Sequence, residues 1–427
     1  MPKFLDQARA ILARNDRGGF TVPTDRLYPF QWNWDSAFVA MGFATFDMDR
    51  ALQELESLMR GQWADGMIPH IIFHTPSDTY FPGPDVWGTH GLAHTGAISS
   101  SGITQPPVFA LALAYIFERG VRAAFAPRMA ALYRAALAYH RWFATARDPE
   151  GTGLVATLHN WETGRDNSVE WDGPFAAVPQ TTVTEIRRKD TGHIDAAMRP
   201  RDEDYRRYIH LVDTYRAAGW KPDAMWKVAP FKVADVGTNA ILLAAERALV
   251  KLAAQFGTAE EIEEIAARIT RMEAGMQKLW LCEKRAYVSL DLITGQQIPI
   301  RVSAGYLPLL TNAPKPMHRE AVLAQFAIAQ QGVPLPLPST APDEPGFEPK
   351  RYWRGPVWAV INWLVARALD QSNATDAAQA LRRATLDAIR QSGFAEYFDP
   401  LTKEGLGGPD FSWTAAIALL MAEEVGA

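Results

Sequence analysis

The chain has 427 residues, a formal net charge of −5 and 48% hydrophobic residues, which allows a large core. Nucleic-acid partners are not expected, because proteins that bind them usually carry a basic stripe that this sequence lacks. Cys282 is the only cysteine, so a disulfide within the chain and a zinc site built on cysteines are both excluded.

The first segment, MPKFLDQARAIL, is typical of an amphipathic helix, because it is too short in apolar length and charged too early for a signal peptide. No uncharged apolar stretch reaches the roughly 18 residues that a membrane span needs. We therefore expect a cytoplasmic protein with no membrane partner. The sequence leaves open whether the chain forms a homo-oligomer.

Most of the remaining chain shows the apolar period of about 3.6 residues that indicates helices. The predicted helices, in chain order, are Ser36–Phe46, Met48–Gly61, Pro107–Glu118, Ala123–Arg147, Tyr205–Ala218, Val233–Phe256, Ala259–Trp280, Pro316–Gln330, Pro356–Ala368, Ala374–Ser392 and Trp413–Glu424. Short strand candidates are Ile68–Phe73, Leu154–Leu158, Ala286–Val288 and Gly295–Pro299. Paired helices with short hairpins predict an all-α fold, an (α/α)6 barrel or toroid, formed by residues 1–427 as one domain.

Two long segments lack a clear period. The segment 179–207 is polar and highly charged, and 334–350 contains six prolines. Long loops in compact domains are usually lids or binding loops, so we predict that both lie over a site and close on a substrate. There is no glycine-rich phosphate loop and no alternation of strands and helices, so a nucleotide-binding fold has no support.

Four aromatic-rich segments carry the residues that could perform chemistry. The first is Tyr28-Pro-Phe-Gln-Trp-Asn-Trp-Asp-Ser36, in which Asp35 follows two Trp and precedes a helix. An Asp at that position can cap the helix. Alternatively, it can accept hydrogen bonds from sugar hydroxyls, since flat aromatic rings suit the faces of sugars.

The second segment, Asn160-Trp-Glu-Thr-Gly-Arg-Asp-Asn-Ser168 with Val169–Asp172, crowds carboxylates beside tryptophans. Burial next to aromatic side chains raises the pKa of a carboxyl group, which a general acid needs at neutral pH. A solvated acidic loop is the alternative.

The third segment, Tyr352-Trp-Arg-Gly-Pro-Val-Trp358, places aromatic residues at a helix start, either as a ligand rim or as ordinary packing. The fourth runs from Phe394 to Pro400 and on to Thr414, and a plain surface turn is its alternative. Glycoside hydrolysis needs two carboxylates flanking the bond, about 6.5–9.5 Å apart in inverting enzymes. Asp166 and Glu396 are far apart along the chain but could meet across one end of a toroid.

In this order, the four segments resemble glycoside hydrolase family 63 from Tyr28 to Thr414, most closely its bacterial mannosylglycerate and glucosylglycerate hydrolases. The resemblance implies inverting hydrolysis of a small α-glycoside with no cofactor and no metal. It implies Asp166 as general acid and Glu396 as general base, with Glu404 as the rival base. The small-molecule substrate would be glucosylglycerate or mannosylglycerate, whose carboxylate an arginine could hold, and the products would be the sugar and D-glycerate.

The resemblance also suggests substrate-binding residues. Arg199, Tyr205 and Tyr352 would bind glycerate, although the arginines of 179–207 could instead pair with acidic residues of the same loop. Residues expected around the sugar are Tyr28, Trp32, Trp34, Asp35, His70, Tyr80, Asp85, Trp87, Gln105, Arg165, Trp353 and Trp358. Three rival interpretations stay open: a trehalase-like or disaccharide α-glucosidase acting on a neutral substrate, a non-catalytic sugar-binding toroid, and a sugar epimerase.

Overall fold

A computed structural model describes residues 2–25, 27–120, 123–192 and 194–426. Its helices are α1 (Pro2–Asn15), α2 (Asn33–Phe43), α3 (Met48–Arg60), α4 (Pro84–Trp87), α5 (Phe109–Glu118), α6 (Ala126–Trp142), α7 (Asp172–Ala176), α8 (Asp202–Ala217), α9 (Pro222–Val228), α10 (Val236–Phe256), α11 (Ala259–Met276), α12 (Pro316–Gly332), α13 (Ala359–Gln371), α14 (Thr375–Ser392) and α15 (Ser412–Glu424). An eight-residue 3₁₀ helix spans Ser303–Leu310.

The strands are two residues long and form small antiparallel sheets at the helix connections. They are β1 (Gln31–Trp32), β2 (Ile71–Ile72), β3 (Val233–Ala234), β4 (Trp280–Leu281), β5 (Ala286–Tyr287), β6 (Leu290–Asp291), β7 (Gln296–Gln297), β8 (Tyr397–Phe398) and β9 (Gly405–Leu406). β1 pairs with β2, β4 with β5, β8 with β9, and β6 lies between β3 and β7.

Within the described residues, six helical segments form an inner ring: α2, α5, α10, the 3₁₀ helix Ser303–Leu310, α13 and α15. Each packs on the next, and α15 closes the ring against α2. The outer helices α3, α6, α11, α12, α14 and α1 each pack on at least one inner member. This arrangement is the predicted (α/α)6 toroid.

The sequence explains which helices lie inside. All residues of α2 and nearly all of α15 are buried, as expected of helices that are apolar all round. The outer helix α3 instead buries one stripe and exposes charged residues. No helix in the parts of the chain that the structure describes is long and apolar enough to cross a membrane.

Side chains cap some of the helix starts. Asp47 caps α3 by accepting a hydrogen bond from the Arg50 amide at 3.0 Å, and Thr258 forms a capping box at the start of α11. Asn373 does not cap α14, because Ala374 holds the N-cap position and Asn373 adopts a φ of 59°. Residues Leu154–Leu158 form an isolated bridge at Thr157 instead of a strand.

Candidate active site

One cavity opens at the end of the toroid where the inner helices begin. The starts of α2 and α15, the residues just before α5 and α13, and the connecting loops supply its lining. The lining residues are Pro23, Tyr28, Trp32, Trp34, Asp35, His70, Tyr80, Phe81, Gln105, Trp161, Gly164, Asp166, Asp190, Arg199, Tyr205, Tyr352, Trp353, Glu396, Phe411 and Trp413.

Four carboxyl residues line this cavity. Asp190 forms ion pairs with Arg188 and Arg199, and the other three are Asp35, Asp166 and Glu396. Burial raises the pKa of all three, and it raises that of Asp166 to about 7. The negative charge of Glu396 further raises the pKa of Asp35 and Asp166, whereas the guanidinium of Arg199 lowers that of Asp166 and Glu396. Three close carboxyl groups in a buried site resist ionising together, so their roles depend on local donors.

The carboxylate of Glu396 is held in place by hydrogen-bond donors. The Tyr28 hydroxyl donates to its Oε1 at 3.0 Å, and the Gly408 amide donates to its Oε2 at 3.0 Å. Nη1 of Arg199 lies 3.7 Å from Oε1. These contacts favour the carboxylate form and oppose the effect of burial on the pKa of Glu396.

Asp166 has a different environment. Among the described residues, only its own backbone amide donates a hydrogen bond to its carboxyl group, and Asn160 Nδ2 donates to its backbone carbonyl at 2.7 Å. With little to stabilise the charge, the neutral acid is favoured up to about pH 7. The site therefore pairs a carboxyl group suited to donate a proton with one suited to accept a proton.

Asp35 lies inside the first turn of α2, whose N-cap is Trp32. Its carboxyl group therefore does not cap the helix. It is buried and faces the cavity, as the ligand interpretation of the sequence required. Gln105 also lines the cavity and accepts a hydrogen bond from the Trp34 amide at 3.2 Å.

Arg199 offers one free donor to the cavity. Its Nε donates to Asp190 Oδ2 at 3.0 Å, and its Nη2 donates to the Tyr28 hydroxyl at 2.8 Å. The guanidinium lies 4.1 Å from the centre of the Tyr352 ring. Nη1 is buried and has no hydrogen-bond partner in the described part of the chain, which is costly unless a ligand supplies an acceptor.

The aromatic lining is supported from behind. Trp353 faces the cavity and stacks in parallel on Trp358, with ring centroids 3.8 Å apart. Trp358 itself does not line the cavity; its Nε1 donates to the Tyr352 carbonyl at 3.2 Å. Trp358 was predicted to contact the sugar, but it packs behind Trp353 instead.

Three more predicted contacts lie away from the cavity. Asp85 is exposed in the first turn of α4. Trp87 is fully buried, where its Nε1 donates to the Pro82 carbonyl at 3.2 Å. Arg165 points away from the cavity into the protein, and its guanidinium is used in ion pairs with Glu170 and Asp235.

The rival base Glu404 also lies outside the cavity. Its side chain is 52% exposed and forms an ion pair with Lys350 at 2.6 Å. None of the described residues of 334–350 lines the cavity, whereas 179–207 contributes Asp190, Arg199 and Tyr205.

Sequence reasoning missed several lining residues: Pro23, Phe81, Trp161, Gly164, Asp190, Phe411 and Trp413. Trp161 and Trp413 lie within the aromatic-rich segments, so extending the same argument to every Trp of those segments would have found them. Asp190 gave no separate signal, because it is one of many charged residues in its loop.

Residues 28–414 match the profile of the mannosylglycerate hydrolase MGH1-like glycoside hydrolase domain. The chain belongs to this family. It is a glycoside hydrolase of family 63, in agreement with the resemblance seen in its four aromatic-rich segments.

Two curated relatives span nearly the whole chain. A mannosylglycerate hydrolase of Thermus thermophilus is 45% identical over 97% of this chain and 99% of its own length. A glucosylglycerate hydrolase of Mycolicibacterium hassiacum is 34% identical over 97% of this chain and 96% of its own length. The fold agrees as well: the crystal structure of a GH63 mannosylglycerate hydrolase from Thermus thermophilus, in complex with Tris and D-glycerate, superposes with a TM-score of 0.92 at 44% identity, covering 97% of this chain and 99% of that one.

Proposed function

We propose that the protein hydrolyses a small α-glycoside of D-glycerate, glucosylglycerate or mannosylglycerate, with inversion at the anomeric carbon. The observation that carries this proposal is the cavity itself, in which Asp166 and Glu396 have opposed environments beside the free Nη1 of Arg199. The relatives from Thermus thermophilus and Mycolicibacterium hassiacum support it, since both are sugar–glycerate hydrolases.

In the proposed reaction, the sugar ring stacks on the aromatic lining, and Asp35 and Gln105 accept hydrogen bonds from its hydroxyls. Neutral Asp166 donates its proton to the glycosidic oxygen. Ionised Glu396 takes a proton from a water molecule, which attacks the anomeric carbon from the opposite face. Glycerate leaves with the proton of Asp166, and the sugar is released as its β-anomer.

The aglycone would lie against Arg199, Tyr205 and Tyr352. Because Nε and Nη2 of Arg199 are already bonded to Asp190 and Tyr28, its Nη1 is the nitrogen that remains for a substrate carboxylate. In the same proposal, segment 179–207 closes over the substrate, and the remaining aromatic residues that line the cavity contact the sugar.

A substrate panel tests the reaction. We expect glucosylglycerate or mannosylglycerate to be cleaved, and proton NMR to detect the β-sugar as the first product. Equal or faster cleavage of trehalose or kojibiose would favour the neutral-substrate interpretation, and an initial α-anomer would contradict inversion. Release of an isomer instead of a free sugar would indicate an epimerase, and no turnover would indicate a binding protein.

Substitution tests the assigned carboxylates. Asp166→Asn and Glu396→Gln should each lower kcat on the best substrate by about 10²–10⁴-fold, the usual contribution of general acid–base catalysis. Glu404→Gln is the matched control, because this exposed carboxylate lies outside the cavity, and it should keep wild-type kcat. A large loss in the control with a normal Glu396→Gln variant would move the base role to Glu404.

A further test concerns the aglycone. Arg199→Met should raise KM for the glycosyl glycerate by at least about tenfold, because charged hydrogen bonds contribute about 1.5–3 kcal/mol. The same variant should discriminate less between that substrate and the matching glycosyl glycerol, which lacks the carboxylate. Retention of the wild-type preference for glycerate would contradict the role assigned to Arg199.

A further inference from the structure

Arg165 lies in a buried cluster of charges behind the cavity. Its side chain is 3% exposed and its Nη1 donates to Glu170 Oε2 at 2.5 Å, while its Nη2 donates to Asp235 Oδ1. Both carboxylates are fully buried. One guanidinium thus lies between two carboxylates, an arrangement whose desolvation is expensive and which is therefore weak evidence of a contribution to stability.

The other contacts of the cluster come from separate elements. Ser289, between β5 and β6, donates to Glu170 Oε1 at 2.8 Å. Asp235 is the N-cap of α10, where its Oδ2 accepts a hydrogen bond from the Thr238 amide at 2.8 Å. Arg165 therefore joins its own loop to an inner helix of the toroid.

The peptide next to Asp166 is fixed by the same surroundings. Trp171 Nε1 donates to the Arg165 carbonyl at 2.7 Å, and the Arg165 guanidinium lies 5.1 Å from the centre of the Trp171 ring. Arg165 and Asp166 are consecutive residues that point in different directions. The arginine side chain points into the protein interior, whereas the aspartate faces the cavity.

We propose that Arg165 is a positioning residue for Asp166: held by Glu170 and Asp235, it fixes the loop so that the Asp166 carboxyl group reaches the glycosidic oxygen. This inference rests on the proposed function, in which Asp166 is the general acid. Arg165 does not touch the substrate, and its influence passes through the peptide that it shares with Asp166.

The nature of the leaving group separates positioning of the acid from general support of the cavity. Glycerate leaves as an alkoxide and needs a proton from the acid. Fluoride is a weak base and leaves a glycosyl fluoride with little help from an acid. A variant that only misplaces Asp166 should therefore lose activity on the glycosyl glycerate and keep it on the α-glycosyl fluoride of the same sugar.

The primary variant is Arg165→Lys, which keeps the positive charge but loses the planar fork that contacts both carboxylates. We expect kcat on the glycosyl glycerate to fall about 10²-fold, the cost of an ångström-scale misplacement of a catalytic group, with KM nearly unchanged. Hydrolysis of the glycosyl fluoride should stay within about threefold of wild type. Glu170→Ala, which removes one partner of Arg165, should show the same selective loss.

Arg268→Met is the matched control. Arg268 is also buried between two carboxylates, Glu246 and Glu264, but it joins α10 to α11 away from the cavity. It should lower Tm without changing the ratio of the two activities. Equal losses on both substrates in folded Arg165→Lys, or no loss on either, would overturn the inference, and so would failure of both Arg165→Lys and Glu170→Ala to fold.

Asp166→Asn separates this inference from the proposed function. If Asp166 is the acid, this variant loses glycosyl glycerate hydrolysis and keeps fluoride hydrolysis. If it loses both equally, the acid assignment fails whatever Arg165 does. If Asp166→Asn is selective and Arg165→Lys is not, only the positioning role fails.

Discussion

At the scale of single residues, the site depends on how differently the protein surrounds chemically similar groups. Glu396 accepts hydrogen bonds from Tyr28 and Gly408, whereas the carboxyl group of Asp166 receives none from its described neighbours. The difference is sufficient to favour opposite protonation states, which is the condition for acid and base catalysis by two carboxyl groups.

The pH dependence of kcat/KM, which reports ionisations of the free enzyme, should follow from the pKa of Asp166, about 7. The proposed general acid works only when protonated, so kcat/KM on a glycosyl glycerate should fall as pH rises through about 7. The acidic limb should reflect protonation of Glu396, whose pKa burial raises above its ordinary value. Arg199, Glu396 and Asp190 are the charged groups that shift the alkaline limb.

A pH profile of kcat/KM for the wild type and for Asp166→Asn measures this. The alkaline limb should be present in the wild type and absent from the residual activity of the variant. If the alkaline limb is unchanged in Asp166→Asn, the ionisation near pH 7 belongs to a group other than Asp166.

The same buried carboxyl group should cost stability at neutral pH. The pKa of Asp166 is raised from 3.8 in the unfolded chain to about 7 in the folded one, so its contribution to stability is fully present below pH 3.8. That contribution is lost as pH rises through about 7. Asp166→Asn removes the ionisation and should therefore raise Tm relative to wild type at pH 8, and by less at pH 5.

Thermal unfolding at the two pH values checks this, with Asp78→Asn at an exposed loop position as the control. The control variant should have a Tm within error of the wild-type value at both pH values. A lower Tm for Asp166→Asn than for wild type at pH 8 would show that the ionised Asp166 stabilises the fold, contrary to this prediction.

Sequence alone could identify many of these residues but not their roles. Asp35 was undecided between cap and ligand because a pattern locates a helix start only to within a few residues, and α2 begins three residues earlier than predicted. Arg165 was expected to contact the sugar because it adjoins Asp166 in the sequence. Its actual partner Asp235 is 70 residues away along the chain, and no spacing rule reveals such a pair.

At the scale of elements, the turn around β9 positions Glu396, the proposed base. Gly407 adopts a φ of 74°, and a Cβ at this position would overlap with the Glu396 carboxylate and the Tyr397 ring. Only glycine avoids both the backbone strain and the overlap. The glycine-rich segment before α15 therefore fixes the place of the Glu396 carboxylate as well as turning the chain.

Gly407→Ala should lower kcat about 10²-fold by displacing Glu396. Gly295→Ala is the matched control, because Gly295 has a similar φ of 71° with nothing within 4 Å of an added Cβ. It should cost about 1–2 kcal/mol of stability and leave kcat unchanged. Kinetics and urea unfolding of both variants provide the comparison, and equal kcat values in the two would contradict the overlap argument.

The elements that the sequence failed to predict are those with the weakest periodic signal. The inner 3₁₀ helix Ser303–Leu310 has eight residues and contains Pro308, which is too little for a helical pattern. Its position in the ring is set by packing between α10 and α13, and such long-range contacts are invisible to local pattern.

At the scale of the whole molecule, the ring is closed where α15 packs on α2, with α1 covering α15. Asn15 at the end of α1 is 1% exposed, and its Nδ2 donates to the Asp410 carbonyl and to the Ser412 hydroxyl, each at 2.9 Å. Ser412 and Trp413 are the first residues of α15, and Trp413 Nε1 donates to the Glu396 carbonyl at 3.2 Å. The closure of the ring and the position of Glu396, the proposed base, thus depend on one another.

Asn15→Ala should lower the free energy of unfolding by about 1–3 kcal/mol, because the buried Ser412 hydroxyl and the part-buried Asp410 carbonyl lose their donor. Since α15 is buried by its neighbours on nearly every side, opening of the ring at this place should expose the inner helices and disrupt the cavity at once. Loss of activity and change of tryptophan fluorescence should therefore share one urea midpoint in the wild type, and both should shift together in the variant. The control Asn312→Ala, at an exposed position, should shift neither. Activity lost at a lower urea concentration than fluorescence would instead indicate that the site opens before the ring does.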